Sequence, residues 1–128
     1  MNQILVVEDE AVIRAALRRL LERHEYRVSE AGSVKESLEK YDMDAFDVII
    51  SDLRLPGAPG TDLIKATSTP VLIMTSYSSI KSAIDSIKMG AVDYITKPFE
   101  HNEIIEAVAK IIRENPSQRQ VNAADSED

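Results

Sequence analysis

Polar groups that phosphate chemistry uses stand where short apolar runs of this chain stop. Ile4-Leu5-Val6-Val7 runs into Glu8-Asp9, and Asp47-Val48-Ile49-Ile50-Ser51 runs into Asp52. Val71-Leu72-Ile73-Met74 runs into Thr75-Ser76, and Asp93-Tyr94-Ile95-Thr96 runs into Lys97-Pro98. Carboxylates, a hydroxyl and an ammonium therefore meet at one sheet edge if the runs are parallel neighbouring strands. Carboxylates forced together repel, by about 4 kcal/mol for a pair ~4 Å apart at an effective dielectric near 20. Such a cluster either keeps a proton or binds a divalent cation. Glu8, Asp9 and Asp52 suit Mg2+, which takes a few carboxylates and bridges to phosphate oxygens, better than zinc, which wants His or Cys. The two histidines, His24 and His101, fall in helix patterns away from the strand ends and read as surface residues.

A carboxylate can also accept a phosphoryl group and become an aspartyl phosphate. That transfer needs charge neutralisation and alignment more than acid-base work. Asp52, alone at the end of a central strand, is the best-placed acceptor. Lys97 supplies a compact positive charge for phosphate oxygens and Thr75 a hydroxyl donor. Lys97-Pro98 is a candidate cis peptide, because only X-Pro bonds adopt cis cheaply, and the isomer stays open at this point. Each residue has an ordinary alternative. Glu8-Asp9 could cap a helix, Asp52 could sit in a turn, Thr75-Ser76 could cap the next helix, and Lys97 could be a solvated charge. Their joint occurrence in this order favours a site.

The elements that must position these residues alternate. Helix patterns run from Ala11 to His24, with Ile13, Ala16, Leu17, Leu20 and Leu21 on one face, and from Ser33, with Val34, Leu38 and Tyr41 inward. Ser33-Val34-Lys35-Glu36 reads as a capping box. Further helices are expected at Thr61 to Ala66, at Ser78 to Met89 with Ile80, Ala83, Ile84 and Ile87 inward and Gly90 as cap, and at His101 to Glu114. Tyr26 to Glu30 reads as a strand. Pro56-Gly57 and Pro59-Gly60 mark a loop after Asp52. The runs at Ile4, Val48 and Val71 are continuous rather than alternating, as in strands covered on both faces. Strand-helix alternation with right-handed crossovers then predicts an α/β fold, a three-layer (βα)5 doubly wound parallel five-stranded sheet. Ligands bind at the strand C-termini in such sheets.

At 128 residues the chain has the length of one domain. The net charge of −7 argues against direct nucleic-acid binding. The absence of cysteine excludes disulfides and thiolate metal sites. No run of about 18 apolar residues and no leader pattern is present, so no membrane segment and a cytoplasmic location are expected. Composition turns polar at Ser117, which predicts a domain over 1–116 and a polar tail or linker over 117–128.

Glu8-Asp9, Asp52, Thr75 and Lys97-Pro98 together resemble the motif set of bacterial two-component response-regulator receiver domains, over about residues 2 to 115. The resemblance implies the flavodoxin-like strand order 2-1-3-4-5, for which this family's chemotaxis member is a standard example. It implies a phosphorelay switch rather than a turnover enzyme, limited to self-phosphorylation and self-dephosphorylation. A histidine kinase or phosphotransfer protein would pass its phosphoryl group to Asp52. Asp9, Asp52 and the backbone carbonyl of Arg54 would ligate magnesium, with Glu8 acting through water. Thr75 and Lys97 would contact the phosphoryl oxygens, and Thr75 would draw the switch residue Tyr94 inward. A wide apolar stripe of Ile104, Ile105, Val108, Ala109, Ile111 and Ile112 means either deep burial or an apolar edge left for a partner, and the resemblance implies a homodimer through the fourth helix, fifth strand and fifth helix face. Ser51 to Gly57 and Gly90 to Phe99 resemble receivers of sigma-54-dependent transcription activators, with the output domain absent from this chain. Gly60 to Pro70 is shorter than the family pattern, and Ser76 stands where a smaller residue is common. A haloacid-dehalogenase-type phosphatase is disfavoured because Arg54 stands where a second aspartate belongs. A bare interaction module is disfavoured by the complete residue set.

Overall fold

Each apolar run continues without polar interruption because its alternate residues are buried in two different layers. The computed structural model describes residues 1–116. Strands β1 (Gln3–Val7), β2 (Arg27–Ala31), β3 (Val48–Asp52), β4 (Val71–Ser76) and β5 (Asp93–Lys97) form one parallel sheet in the order β2-β1-β3-β4-β5. Helices α1 (Ala11–Arg23), α2 (Val34–Lys40), α3 (Asp62–Ala66), α4 (Ile80–Lys88) and α5 (His101–Glu114) alternate with them. This is the (βα)5 architecture and strand order that the resemblance implies. Ile4, Val6, Val48, Ile50, Leu72 and Met74 pack with Leu17 and Leu21 of α1 and Ile104 and Val108 of α5. Their neighbours Leu5, Val7, Ile49 and Ile73 pack with Val34 of α2 and Leu63 of α3. Period-two alternation thus divides each strand between two cores. Among the described residues, no helix is long and apolar enough to cross a membrane.

Strand ends reach further than the apolar pattern. Asp52, Thr75-Ser76 and Lys97 lie inside their strands, because parallel neighbours still offer backbone partners there; Ser76 pairs with Lys97, and Leu53 N–H donates to the Met74 carbonyl at 2.9 Å. β2 is shifted by one residue from the expected Tyr26–Glu30, and α1 stops at Arg23, one residue before His24. Tyr26 N–H instead donates to the Leu21 carbonyl, closing α1 in a Schellman motif. The residue at the left-handed position of that motif is Glu25, φ 68°, a conformation that α4 gives to a glycine, Gly90.

Helix faces differ from expectation in three places. In α2 the Ser33 hydroxyl accepts the Glu36 N–H, but the Glu36 carboxylate accepts from Gly32 N–H rather than from Ser33, so only half of the capping box forms. Leu38 is exposed and Ser37 is buried in its stead. Ala16 of α1 is likewise exposed. α3 begins at Asp62, not Thr61, and α4 at Ile80 after a 3-10 turn over Tyr77–Ser79 rather than at Ser78. α4 buries Ala83 and Ser86, while Ile84 and Ile87 are 46% and 39% exposed. The fourth helix spaces its isoleucines as a core face would, yet the small residues beside them turn to the sheet. α5 keeps the expected bounds, with Ile104, Val108 and Ile111 buried and Ile105, Ala109 and Ile112 half-buried. The expected tail over 117–128 lies outside the described residues.

Candidate functional site at the strand C-termini

β1 and β3 are adjacent, so the residues that end them meet. Glu8 follows β1, is fully buried, and is anchored by its N–H on the Ala31 carbonyl at 3.0 Å. Asp9 is exposed beside it, its N–H donating to Glu8 Oε2 at 3.1 Å. Asp52 closes β3 and is 8% exposed. One carboxylate oxygen from each of Glu8, Asp9 and Asp52 lies within 4.8 Å of the others, an all-oxygen set able to hold a metal ion. Across β4, Lys97 at the end of β5 donates from Nζ to Asp52 Oδ2 at 2.8 Å and to Glu8 Oε1 at 3.3 Å. The lysine compensates the two buried acids, and among the described residues no buried side-chain nitrogen or oxygen lacks a hydrogen-bond partner.

Thr75 is buried on β4, one residue beyond Met74, the register partner of Asp52. Its hydroxyl donates to the Ser76 carbonyl at 3.2 Å. Tyr94 is half-buried on β5 opposite Ile73, two register pairs before Thr75 and three before Lys97. The Lys97-Pro98 peptide is cis. Arg54 N–H lies 3.3 Å from Asp52 Oδ1. His24 and His101 are exposed. Three contributors carry no strand-end signal in the sequence. Arg14 of α1 donates from Nη1 to the Glu8 carbonyl at 2.6 Å, so the Glu8-Asp9 peptide is held from the helix. Ser79 accepts from Arg54 Nε at 2.8 Å. Gly60 packs directly on the Asp52 backbone. Beside the site, Val12, Ala16, Pro98, Phe99 and His101 line an open, mostly apolar groove of about 560 Å³.

Burial, then contact with Asp52, raises the Glu8 carboxyl from the ordinary 4.5 to about 7, against the pull of Lys97. Burial lowers the Lys97 ammonium, but the hydrogen bond and charge of Asp52, followed by Glu8, outweigh it, and the net direction is upward. Between these two carboxyl values the folded chain binds a proton that the unfolded chain releases, so the Glu8 contribution to stability falls as pH rises. The raised lysine contributes stability that is lost only at alkaline pH, outside this window. Urea unfolding of the metal-free protein at about pH 5 and about pH 8 is expected to show a decline of a kcal/mol or more that Glu8→Gln removes. An identical decline in the variant would count against Glu8 as the titrating group.

Residues 4–109 match the family model for the response regulator receiver domain. The chain is 36% identical over 117 residues to the response regulator protein PilR of Pseudomonas aeruginosa, spanning 88% of this chain and 26% of PilR. It is 37% identical over 106 residues to the transcriptional regulatory protein ZraR of Klebsiella oxytoca, spanning 79% of this chain and 24% of ZraR. The chain therefore covers about a quarter of the length of these two relatives. A response regulator receiver domain crystal structure from Clostridium thermocellum superposes with a TM-score of 0.83 at 28% identity, covering 89% of this chain and 96% of that one.

Proposed function

This chain belongs to the response regulator receiver domain family, and from that premise we propose that Asp52 accepts a phosphoryl group from a phosphohistidine on a partner histidine kinase or phosphotransfer protein. The observation that carries this reading is the convergence of Glu8, Asp9 and Asp52 oxygens within 4.8 Å, with the Lys97 ammonium 2.8 Å from Asp52. An Asp52 carboxylate oxygen attacks phosphorus, the phosphorus–nitrogen bond to the imidazole breaks, and its electron pair leaves on nitrogen. The groove lined by Val12, Ala16 and Phe99 gives the donor a path of approach beside the site. Lys97 holds the two buried acids before transfer and passes its contact to a phosphoryl oxygen after it. Thr75 exchanges the Ser76 carbonyl for a second phosphoryl oxygen, and Tyr94 follows it inward.

The donor set fits magnesium, since it offers only hard oxygen ligands and two of its three carboxylates are buried. Asp9, Asp52 and the Arg54 carbonyl would hold the ion, with Glu8 through water. When bound, it supplies positive charge that neutralises the transferring phosphoryl oxygens. The chain thereby performs only its own phosphorylation and dephosphorylation. Intact mass after incubation with acetyl phosphate and magnesium is expected to rise by one phosphoryl group, with no rise in Asp52→Asn or in excess chelator. No gain, or an equal gain in the Asn variant, would sink the reading.

The exposed Ile84 and Ile87 of α4, the exposed Met89 that caps it, and the half-buried Ile105, Ala109 and Ile112 of α5 support a homodimer face flanking β5. Light scattering with and without beryllofluoride is expected to show a shift toward dimer, and an unchanged mass at high concentration speaks against that face. Residues 1–116 form the receiver in this reading, and 117–128 begin a linker to a transcription-regulating output domain of the sigma-54-dependent type. A gene that continues past Asp128 into an ATPase and a DNA-binding region supports that assignment; one that continues into an unrelated output overturns it.

A further inference from the structure

Ser79 ends the 3-10 turn before α4 and is 5% exposed. A buried hydroxyl is costly without a partner. Its partner is Arg54, whose Nε donates at 2.8 Å across 25 residues of sequence. The main-chain N–H of the same arginine lies 3.3 Å from Asp52 Oδ1. Arg54 therefore touches the carboxylate through its backbone and the start of α4 through its side chain. Ser79 is also connected covalently to Thr75 through the short segment Ser76-Tyr77-Ser78. Thr75 donates to the Ser76 carbonyl and Lys97 to Asp52 Oδ2, so each must leave its present partner to reach a group carried on Asp52.

Any approach of Thr75 to a group on Asp52 pulls the turn that carries Ser79. At 2.8 Å the Arg54–Ser79 bond has normal N–H···O geometry, and a displacement of Ser79 that the guanidinium does not follow weakens it steeply. We infer that the Arg54–Ser79 hydrogen bond is a latch of the unphosphorylated state, positioning the Arg54 main chain against Asp52 and holding the first turn of α4 until phosphorylation breaks it. The inference rests on the phosphorylation reading above. A bond present in one state and absent from the other shifts the equilibrium between them by its net worth, whereas a bond common to both shifts nothing. One charge-assisted bond at a partly exposed position corresponds to a shift of about threefold to tenfold.

The test titrates beryllofluoride with magnesium into the full chain and follows backbone amide resonances of α4 and Tyr94. In Ser79→Ala the half-saturating concentration is expected to fall about threefold to tenfold. The same substitution made in an Arg54→Ala background is expected to produce no further fall, because both changes delete one bond. In metal-free Ser79→Ala, amide hydrogen exchange over residues 80–82 is expected to quicken, a readout that needs neither metal nor phosphate. Arg54 is exposed, so its variant keeps the test available if Ser79→Ala unfolds. Equal midpoints in wild type and Ser79→Ala, or full additivity with Arg54→Ala, overturn the latch alone. A wild type that fails to bind beryllofluoride, or an Asp52→Asn variant that binds it equally, overturns the phosphorylation reading and the latch with it.

Discussion

Lys97→Met is expected to destabilise the metal-free protein by about 2–4 kcal/mol near pH 8, somewhat below the cost of removing one partner of a fully buried ion pair because the lysine keeps some contact with water. The lysine side chain is 21% exposed, Asp52 11% and Glu8 0%, so little water is available to replace the ammonium. Two facing carboxylates would remain at the ends of β1 and β3. The cheapest response is protonation of Glu8, already raised to about 7, because a neutral Glu8 can donate to Asp52. The loss should therefore shrink toward pH 6, where protonation is nearly free. Adding Glu8→Gln to Lys97→Met should recover most of it at any pH, by removing the repulsion itself. Urea unfolding at the two pH values checks all of these expectations. A Lys97→Met protein as stable as wild type near pH 8 would show that the buried acids do not need the lysine.

Gly60→Ala is expected to lose about 3 kcal/mol or more, at the upper end of the overpacking range. A Cβ there would stand 2.2 Å from the Asp52 carbonyl oxygen and 2.6 Å from Ser51 Oγ, closer than real Cβ atoms approach. Those atoms belong to β3, which has a strand on each side and cannot retreat. The loop must move instead, breaking the Gly60 N–H bond to the Leu53 carbonyl at 3.1 Å. Because the clash falls on the backbone of Asp52, phosphoryl uptake should slow in the folded fraction as well. Gly57→Ala is the informative comparison. Gly57 has φ +81°, but a Cβ there would meet nothing within 4 Å, so only about 1–2 kcal/mol of backbone strain is expected. A larger loss at Gly57 than at Gly60 in thermal or urea unfolding would contradict the packing account.

These two residues mark where sequence reading stops. Pro59-Gly60 reads as a turn, which it is, but its tightness against Asp52 depends on how the loop folds back over the end of β3. The exposed isoleucines of α4 teach the same lesson. Periodicity puts Ile80, Ala83, Ile84 and Ile87 on one face; only the docking of Ala83 and Ser86 against the sheet decides that Ile84 and Ile87 look outward while Ile80 stays half-buried. Ser79 and Arg14 had no local signal, since a serine before a helix and an arginine within one are ordinary residues until their partners are placed.

The sequence by itself determined the alternation of strands and helices, the burial of both sheet faces, and the placement of Glu8-Asp9, Asp52, Thr75 and Lys97 at strand ends. Hydrophobic period and chain direction are local properties, and a parallel sheet turns direction into a shared edge. Tertiary structure alone decided that Glu8 is buried and Asp9 exposed, although they are neighbours in sequence. It also decided that Lys97 meets Asp52 across 45 residues and Glu8 across 89, and that Arg54 reaches Ser79. Such pairings depend on strand order and on desolvation at one point in space, and neither quantity is written in any short stretch of the chain.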